Sequence, residues 1–380
     1  MDLTDYRAQI DEIDHQLVEL FARRMQTAAQ IAAWKKENGM PVLDAGRERK
    51  KLAEVSAMAP EDLHEQTATL YGLLFELSRA YQTALLGVTS PLPARIQDAI
   101  AHTPQLFPTQ ADVACQGVEG AYSQQACDKL FRTPNIFYCA TFDAVFSAIE
   151  SGLCRYGVIP LENSTAGSVN AVYDLMQQHQ FHIVRSVRLK IDHCLLANRG
   201  AKLSDIREIR THEQAVGQCG EFLRSLGNVK IVPCENTAVA AREVAESGRT
   251  DVAALASRSC AALYGLSVLR ESVQNQGNNY TRFICISRDL EIYPGADRTS
   301  LMMVLRHRPG SLAQVLSRFY AHGINLNKLE SRPIAQRDFE FMFYFDLDAP
   351  VYAPQFLQLM GELDELSDSS CYLGSYSEVI

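Results

Sequence analysis

The sequence predicts a multidomain fold in which an all-α segment is followed by an α/β segment and then an α+β segment. Three patterns carry this reading. Residues 1–87 hold heptad spacing, residues 112–289 alternate short apolar runs with amphipathic stretches, and residues 298–380 run strand, helix, strand, strand, helix, strand. At 380 residues the chain exceeds what one core organises. With 21% charged residues and a net charge of −9, it offers no basic surface for nucleic acid. No run of about 18 apolar residues occurs, and the N-terminus is acidic and amphipathic, so a cytoplasmic location without membrane attachment is expected. The ten cysteines are scattered with no CxxC pair, which reads as buried reduced thiols; no metal or cofactor is expected. His179 and His182 have no third ligand candidate nearby and read as surface histidines.

In the helical segment, Leu3, Ile10, Leu17, Arg24 and Ile31 fall seven apart. Tyr6, Ile13, Leu20, Thr27 and Trp34 form the companion row of a coiled-coil-like seam, which Arg24 breaks. A Gly39-Met40-Pro41 turn ends this helix; a second is expected from Asp44 to about Met58 and a third from Pro60 to Leu86. Three helices, one very long, bury little alone, so an intertwined homodimer or a higher homo-oligomer is expected.

Polar residues on these helices converge. Arg24 and Lys35 lie three turns apart on one face, ~16 Å between Cα atoms, a span that suits a small dianion. Arg7 is ~25 Å further along and reaches that ligand only from a second subunit. Asp44, Arg47 and Glu48 share a face, as do Ser78 and Gln82. One alternative is a helix surface laced with salt bridges. As a set, Arg7, Arg24, Lys35, Asp44, Arg47, Glu48, Ser78 and Gln82 resemble the active-site groups of the all-helical chorismate mutases. The resemblance implies that chorismate binds here and rearranges to prephenate. Its carboxylates would be clamped by the arginines, Lys35 and Gln82 would act as donors to the ether oxygen, and Glu48 would join the catalytic set.

Pro91, Pro93, Pro104 and Pro108 punctuate residues 88–110, which read as a linker with a short helix around Ala94 to Ala101. From 111 to 290, strands are expected at Val113–Gln116, Ile136–Cys139, Gly157–Pro160, His182–Arg188, Ile206–Thr211, Lys230–Pro233, Val252–Ala256 and Arg282–Ser287. The long stretch around His182–Leu196 points to two lobes with a cleft between them. Ligands of open α/β sheets sit at the carboxyl ends of strands, beside helix N-termini. Polar loops fall there: 117–123 ending in Ser123; Asn163, Ser164, Thr165 and Gly167; His212 and Gln214; Asn236 and Thr237. Each also suits plain helix capping.

Gln274 to Phe283 is a turn-rich loop entering a strand, on which Thr281 and Phe283 point to one face and Tyr280 and Arg282 to the other. Asn279-Tyr280-Thr281-Arg282-Phe283 resembles the signature of prephenate dehydratases, which places the catalytic threonine at Thr281. The Asn163–Val169 element is also similar, while Val118 stands where a proline is common. The resemblance implies a periplasmic-binding-protein-like domain with prephenate in its cleft, contacted by Ser123, Asn163, Ser164, Thr165, Gly167, His212, Gln214, Thr237, Thr281, Arg282 and Phe283. A threonine is a weak acid, and the sequence does not identify what assists it. Arg282, on the other strand face, reads as ordering the loop or pairing with an acidic side chain.

Residues 298–380 resemble an ACT regulatory domain of ferredoxin-like fold, through His307-Arg308-Pro309-Gly310-Ser311-Leu312 and Glu330-Ser331-Arg332-Pro333. Ser311 and Phe339 depart from the common residues. The resemblance implies phenylalanine as an allosteric effector at Gly310, Leu312, Glu330, Ser331 and Arg332. Together the three segments resemble the bifunctional P-proteins, a chorismate mutase joined to a prephenate dehydratase. A fusion to a dehydrogenase would need a GxGxxG fingerprint, and none is present. A non-catalytic amino-acid sensor with a helical dimerisation arm is the alternative, but it has no use for eight convergent polar residues.

Overall fold

The computed structural model describes residues 2–86, 90–307, 309–334, 340–353 and 355–380. Arg308 and Phe339, which figure in the sequence reading, lie outside them. Two compact units result: Met1–Pro93 with Arg308–Arg318 and Gln358–Leu366, and Ala94–His307 with Phe319–Leu357 and Ser367–Ile380.

In the first unit, α1 (Leu3–Glu37) opens on a reciprocal cap: Asp2 accepts from the Thr4 and Asp5 amides, and Asp5 accepts from the Asp2 amide at 2.9 Å. Gly39, at φ 62°, reverses the chain. Asp44 caps α2 (Ala45–Met58). The expected third helix divides into a 3-10 turn at Glu61–Leu63 and α3 (His64–Leu86), with His64 Nε2 against the Ala59 carbonyl at 3.0 Å. Only Ala28 and Ala32 of α1 are buried, while Leu3, Ile10, Ile13 and Leu17 are more than half exposed. The seam read from the heptads is therefore uncovered in one protomer.

After α4 (Leu92–His102), the second unit runs β1 (Asp112–Gln116), α5 (Tyr122–Leu130), β2 (Asn135–Cys139), α6 (Phe142–Glu150), β3 (Tyr156–Asn163), β4 (Gly167–Ser168), α7 (Asn170–His179) and β5 (His182–Lys190). It crosses to β6 (His193–Ala197), β7 (Glu208–Thr211), α8 (Glu213–Gln218), α9 (Gly220–Ser225), β8 (Lys230–Pro233), α10 (Thr237–Ser247), β9 (Val252–Ser257), α11 (Arg258–Tyr264) and β10 (Ser267–Arg270). It then returns through β11 (Tyr280–Ser287). Strands β5, β11, β3, β1 and β2 form one sheet in that order, and β10, β6, β9, β7 and β8 form another. The chain thus passes between two lobes twice, at 191–192 and at 271–279. Strands β6 and β10 escaped the sequence reading; β6 follows β5 after two residues, so the pair reads as one long strand.

The last segment gives β12 (Arg298–Leu305), α12 (Ser311–Ala321), β13 (Asn325–Pro333), β14 (Phe341–Asp348), α13 (Phe356–Leu366), β15 (Ser367–Tyr376) and β16 (Glu378–Val379). Its sheet has the order β13-β14-β12-β15, and β16 instead joins the first lobe, parallel to β5. Met302, Val304, Met342, Tyr344, Leu373 and Tyr376 share one core with Ile159, Leu161, Tyr173, Ile183 and Ile284. The sheet is therefore packed onto the first lobe. At Gly374 (φ 137°) a Cβ would stand 2.4 Å from the Ile183 carbonyl oxygen, so only glycine lets β15 approach β5 this closely.

Two sequence expectations are corrected here. His182 is buried, its Nδ1 3.0 Å from the Tyr372 carbonyl, and His179 stacks among Phe146 and Phe181; neither is a surface histidine. All ten cysteines are free thiols, seven of them buried. Among the described residues, no helix is long and apolar enough to cross a membrane, and no cluster of histidine, cysteine or acidic residues could hold a metal ion.

Candidate active sites

In the helical unit, Arg24 donates to the Leu74 carbonyl at 3.1 Å and to Ser78, and lies over the Phe75 ring at 5.7 Å. Ser78 and Gln82, one turn apart on α3, are both buried, and Gln82 Oε1 has no hydrogen-bond partner among the described residues. A buried amide oxygen without a partner costs free energy unless a ligand satisfies it. Lys35 Nζ donates to the Val42 carbonyl at 2.5 Å. Glu48 is held by Arg79, which also pairs with Glu76; Arg79 was not foreseen. Gln314 donates to the same Glu76 at 2.5 Å. Asp44 serves as the α2 cap, accepting from the Arg47 amide at 2.9 Å, and Arg47 is exposed. Arg7 is exposed far up α1. The structure thus joins Arg24 to Ser78, with Gln82 one turn further along α3, ties Lys35 to the Val42 carbonyl and Glu48 to Arg79, and leaves Arg7 apart.

In the second unit, a cleft of about 250 Å³ is lined by Ser123, Asn163, His212, Gln214, Thr237, Thr281 and Phe283, together with Tyr122, His193, Gln218 and Asn236. The register explains its centre. Thr281 of β11 pairs with Asn163 of β3, and the Asn163 amide donates to Thr281 Oγ1 at 2.9 Å and to Asn279 Oδ1 at 2.8 Å. Asn163 Oδ1 in turn accepts from the Thr165 and Ala166 amides. With one lone pair of Thr281 Oγ1 occupied by a donor, its proton remains for a ligand.

Ser164 bridges to the loop before β11, donating to the Asn278 carbonyl and accepting from the Tyr280 amide. Ser164 and Thr165 line an adjoining mouth of about 480 Å³ with Gln214, Gln218, Gln274 and Asn279. Gly167, at φ 83°, turns β3 into β4 and lines neither space. Arg282 does not line the cleft either: alternation along β11 turns it to the opposite face, where it pairs with Glu162 (3.2 Å) and Asp346. His212 caps α8, its Nδ1 accepting from the Gln214 amide at 3.2 Å, and Asn236 caps α10 through the Ala238 and Val239 amides.

Three buried polar atoms here have no partner among the described residues: Asn236 Nδ2, Asn279 Nδ2 and His193 Nδ1. His193 Nε2 lies 3.0 Å from Gln218 Oε1, and burial holds its imidazole below the ordinary histidine range, so it is neutral near pH 7. The N-termini of α5 and α10 border the same space, which favours a carboxylate. Of the expected effector residues, Glu330 accepts from Ser168 Oγ at 2.7 Å and Arg332 pairs with Asp174 at 2.9 Å, so both engage the first lobe. Gly310, at φ 85°, precedes α12, on which Leu312 sits.

These features define a multidomain enzyme: a helical module carrying cationic and amide side chains, a two-lobed α/β module with a hydroxyl-bearing cleft, and a four-stranded regulatory-type sheet. The chorismate mutase type II family matches residues 6–83, the prephenate dehydratase family 113–291 and the ACT domain 299–353. The chain is similar to the bifunctional chorismate mutase/prephenate dehydratase of Escherichia coli (strain K12), with 33% identity over 97% of this chain and 95% of that one. It is also similar to arogenate dehydratase/prephenate dehydratase 2 of Arabidopsis thaliana, 37% identical over 70% of this chain and 72% of that one. Among solved structures, the prephenate dehydratase of Arthrobacter aurescens in complex with L-Phe superposes with TM-score 0.64 at 29% identity, covering 70% of this chain and 90% of that one. The chain belongs to the bifunctional chorismate mutase/prephenate dehydratase family and is an enzyme carrying both catalytic domains and an ACT domain.

Proposed function

We propose that the chain rearranges chorismate to prephenate in its helical module (1–87) and, beyond the 88–110 linker, converts prephenate to phenylpyruvate in the module at 111–290. Phenylalanine acts as feedback inhibitor through residues 298–380, and the protein works in the cytoplasm as a homodimer or larger homo-oligomer. The observation that carries the dehydratase reading is the Asn163 amide 2.9 Å from Thr281 Oγ1. In the reaction, the bond to the ring carboxylate breaks, its electrons make the ring aromatic, and the C–O bond to the ring hydroxyl breaks to give water and CO2. The leaving oxygen needs a proton. A threonine that accepts a hydrogen bond from a buried amide is a better donor than a free one, which supplies the assistance the sequence left unnamed. Asn236, Asn279 and the N-termini of α5 and α10 are the donors that suit the two carboxylates.

The mutase step involves no proton transfer, so Arg24, Lys35 and Gln82 have only to hold the reactive conformer and stabilise the ether oxygen. The test is one assay with chorismate as sole substrate, following chorismate loss and phenylpyruvate formation, with prephenate and arogenate offered separately. Expected are loss of chorismate, transient prephenate and then phenylpyruvate. Turnover of arogenate with none of prephenate would overturn the dehydratase substrate, and stable chorismate would overturn the mutase reading.

A further inference from the structure

A line of side chains runs from β6 in the second lobe to Thr281 in the first, and elimination gives each of its hydrogen bonds a direction. Asn163 Oδ1 accepts from the Thr165 and Ala166 amides, which can only donate, so its NH2 faces Thr281 Oγ1 at 2.9 Å and Asn279 Oδ1 at 2.8 Å. Thr165 Oγ1 then lies near two oxygens, Asn163 Oδ1 at 2.7 Å and Asn279 Oδ1 at 3.3 Å, and its single proton goes to the nearer. What Gln218 turns toward Thr165 Oγ1, at 3.3 Å, is therefore its NH2. Gln218 Oε1 is left facing His193 Nε2 at 3.0 Å, so that nitrogen carries the imidazole proton. Every bond points one way: His193 donates to Gln218, Gln218 to Thr165, Thr165 to Asn163 and Asn163 to Thr281.

His193 is 3% exposed, and its proton occupies the Gln218 oxygen. Without that proton the Gln218 amide is free to turn its oxygen to Thr165, and the Thr165 proton is drawn away from Asn163. An amide that accepts at its oxygen donates more strongly from its nitrogen, so the chain strengthens the last bond, the one to Thr281. We infer that His193 is a positioning residue for the dehydratase step: as first donor of this one-way chain it holds Gln218 and Thr165 in the arrangement in which Asn163 donates to Thr281 and the Thr281 proton is left for substrate. It acts on Thr281 only through three intervening side chains. The inference rests on the dehydratase reading, which wild-type turnover of prephenate tests by itself.

The experiment uses the full-length protein with prephenate as substrate. His193→Leu removes the first donor and is expected to lower dehydratase kcat about ten- to hundred-fold with little change in KM, because a small misplacement of a reacting group costs that much. His193→Gln, whose amide reaches the Nε2 position, is expected to restore most of the loss. In a Thr165→Val background, where the chain is already cut, His193→Leu is expected to cost far less than in the wild type. Full kcat in a folded His193→Leu protein would overturn the inference, as would a Gln variant no better than the Leu variant, or equal losses in both backgrounds. Should His193→Leu fail to fold, His193→Asn, whose amide stops short of Gln218, replaces it on the same criteria. The direction of the chain is read in the wild type itself, from the nitrogen NMR spectrum of protein labelled with ¹⁵N-histidine: His193 is expected as the Nε2–H tautomer with a bare Nδ1, and the opposite tautomer would reverse the chain and sink the inference.

Discussion

In the proposed reaction Thr281 donates one proton in one step, so its removal has a specific signature. Thr281→Val keeps the shape without the hydroxyl and is expected to lower phenylpyruvate formation by about 10²–10⁴-fold, with prephenate accumulating from chorismate at the normal rate; quantifying both products checks this. Near-normal dehydratase turnover would remove Thr281 from that role. Alternation along one strand was enough to send Thr281 and Phe283 to the cleft and Arg282 away from it. The Asn163 contact was not legible, because it depends on how two strands 118 positions apart align. His193 was hidden in the β5–β6 run, yet it makes a pH prediction. Burial depresses its folded-state pKa, so the unfolded chain binds the proton more readily in the window just below about pH 6.5. Stability is then complete above that pH and declines as pH falls through it. Urea midpoints from pH 7.5 to 5.5 are expected to drop less for His193→Gln than for the wild type, and parallel curves would count against the depressed pKa.

At the level of elements, helix starts are legible where a cap residue announces them, as at Asp44 and Asn236. What the sequence could not announce was pairing made only in the tertiary structure. Strand β16 is the clearest case: Glu378 and Val379 belong by position to the ACT segment but add to the dehydratase sheet beside β5. Glu378 is buried and pairs with the half-exposed Arg188 at 2.7 Å. Deleting residues 377–380 removes that pair and bares the β5 edge. The expected cost is about 1–2 kcal/mol, at the lower end for a buried pair because Arg188 remains hydrated. A fall in the urea midpoint of dehydratase activity, with the mutase transition unmoved, is the measurement; coincident wild-type and truncated curves would contradict it.

At the scale of the whole molecule, the three-module order was legible because each module has its own periodicity. Its coupling was not: the ACT sheet shares a core with the dehydratase lobe, and Glu330 and Arg332 face that lobe instead of standing free for an effector. A chain cut near Arg288 would lose that core, so effector binding is better tested in the full-length protein. There, Ser331→Ala is expected to weaken phenylalanine binding in calorimetric titration, and a prephenate analogue is expected to weaken it by the same factor as phenylalanine weakens the analogue.

The helical module gives the sharpest whole-molecule prediction, since the proposed site draws Arg7 from a second protomer. Leu3, Tyr6, Ile10, Ile13, Leu17 and Leu20 are all more than half exposed along α1, and burying each fully is worth about 1.5–3 kcal/mol, enough to offset the cost of association. Two copies paired along this seam would bring the Arg7 of one toward the Arg24 of the other, ~25 Å up its own helix. Arg7→Ala and Arg24→Ala are each expected to abolish mutase activity in isolation. Co-refolded in equal amounts, half the dimers are mixed. In each mixed dimer one of the two sites draws an intact Arg24 from one chain and an intact Arg7 from the other, so activity is expected to return to about one quarter of wild type. The full-length protein serves for the measurement, because Gln314, which belongs to the same compact unit, also donates to Glu76. No recovery on mixing, with a dimer confirmed by sedimentation, would place Arg7 outside the site or in the site of its own chain.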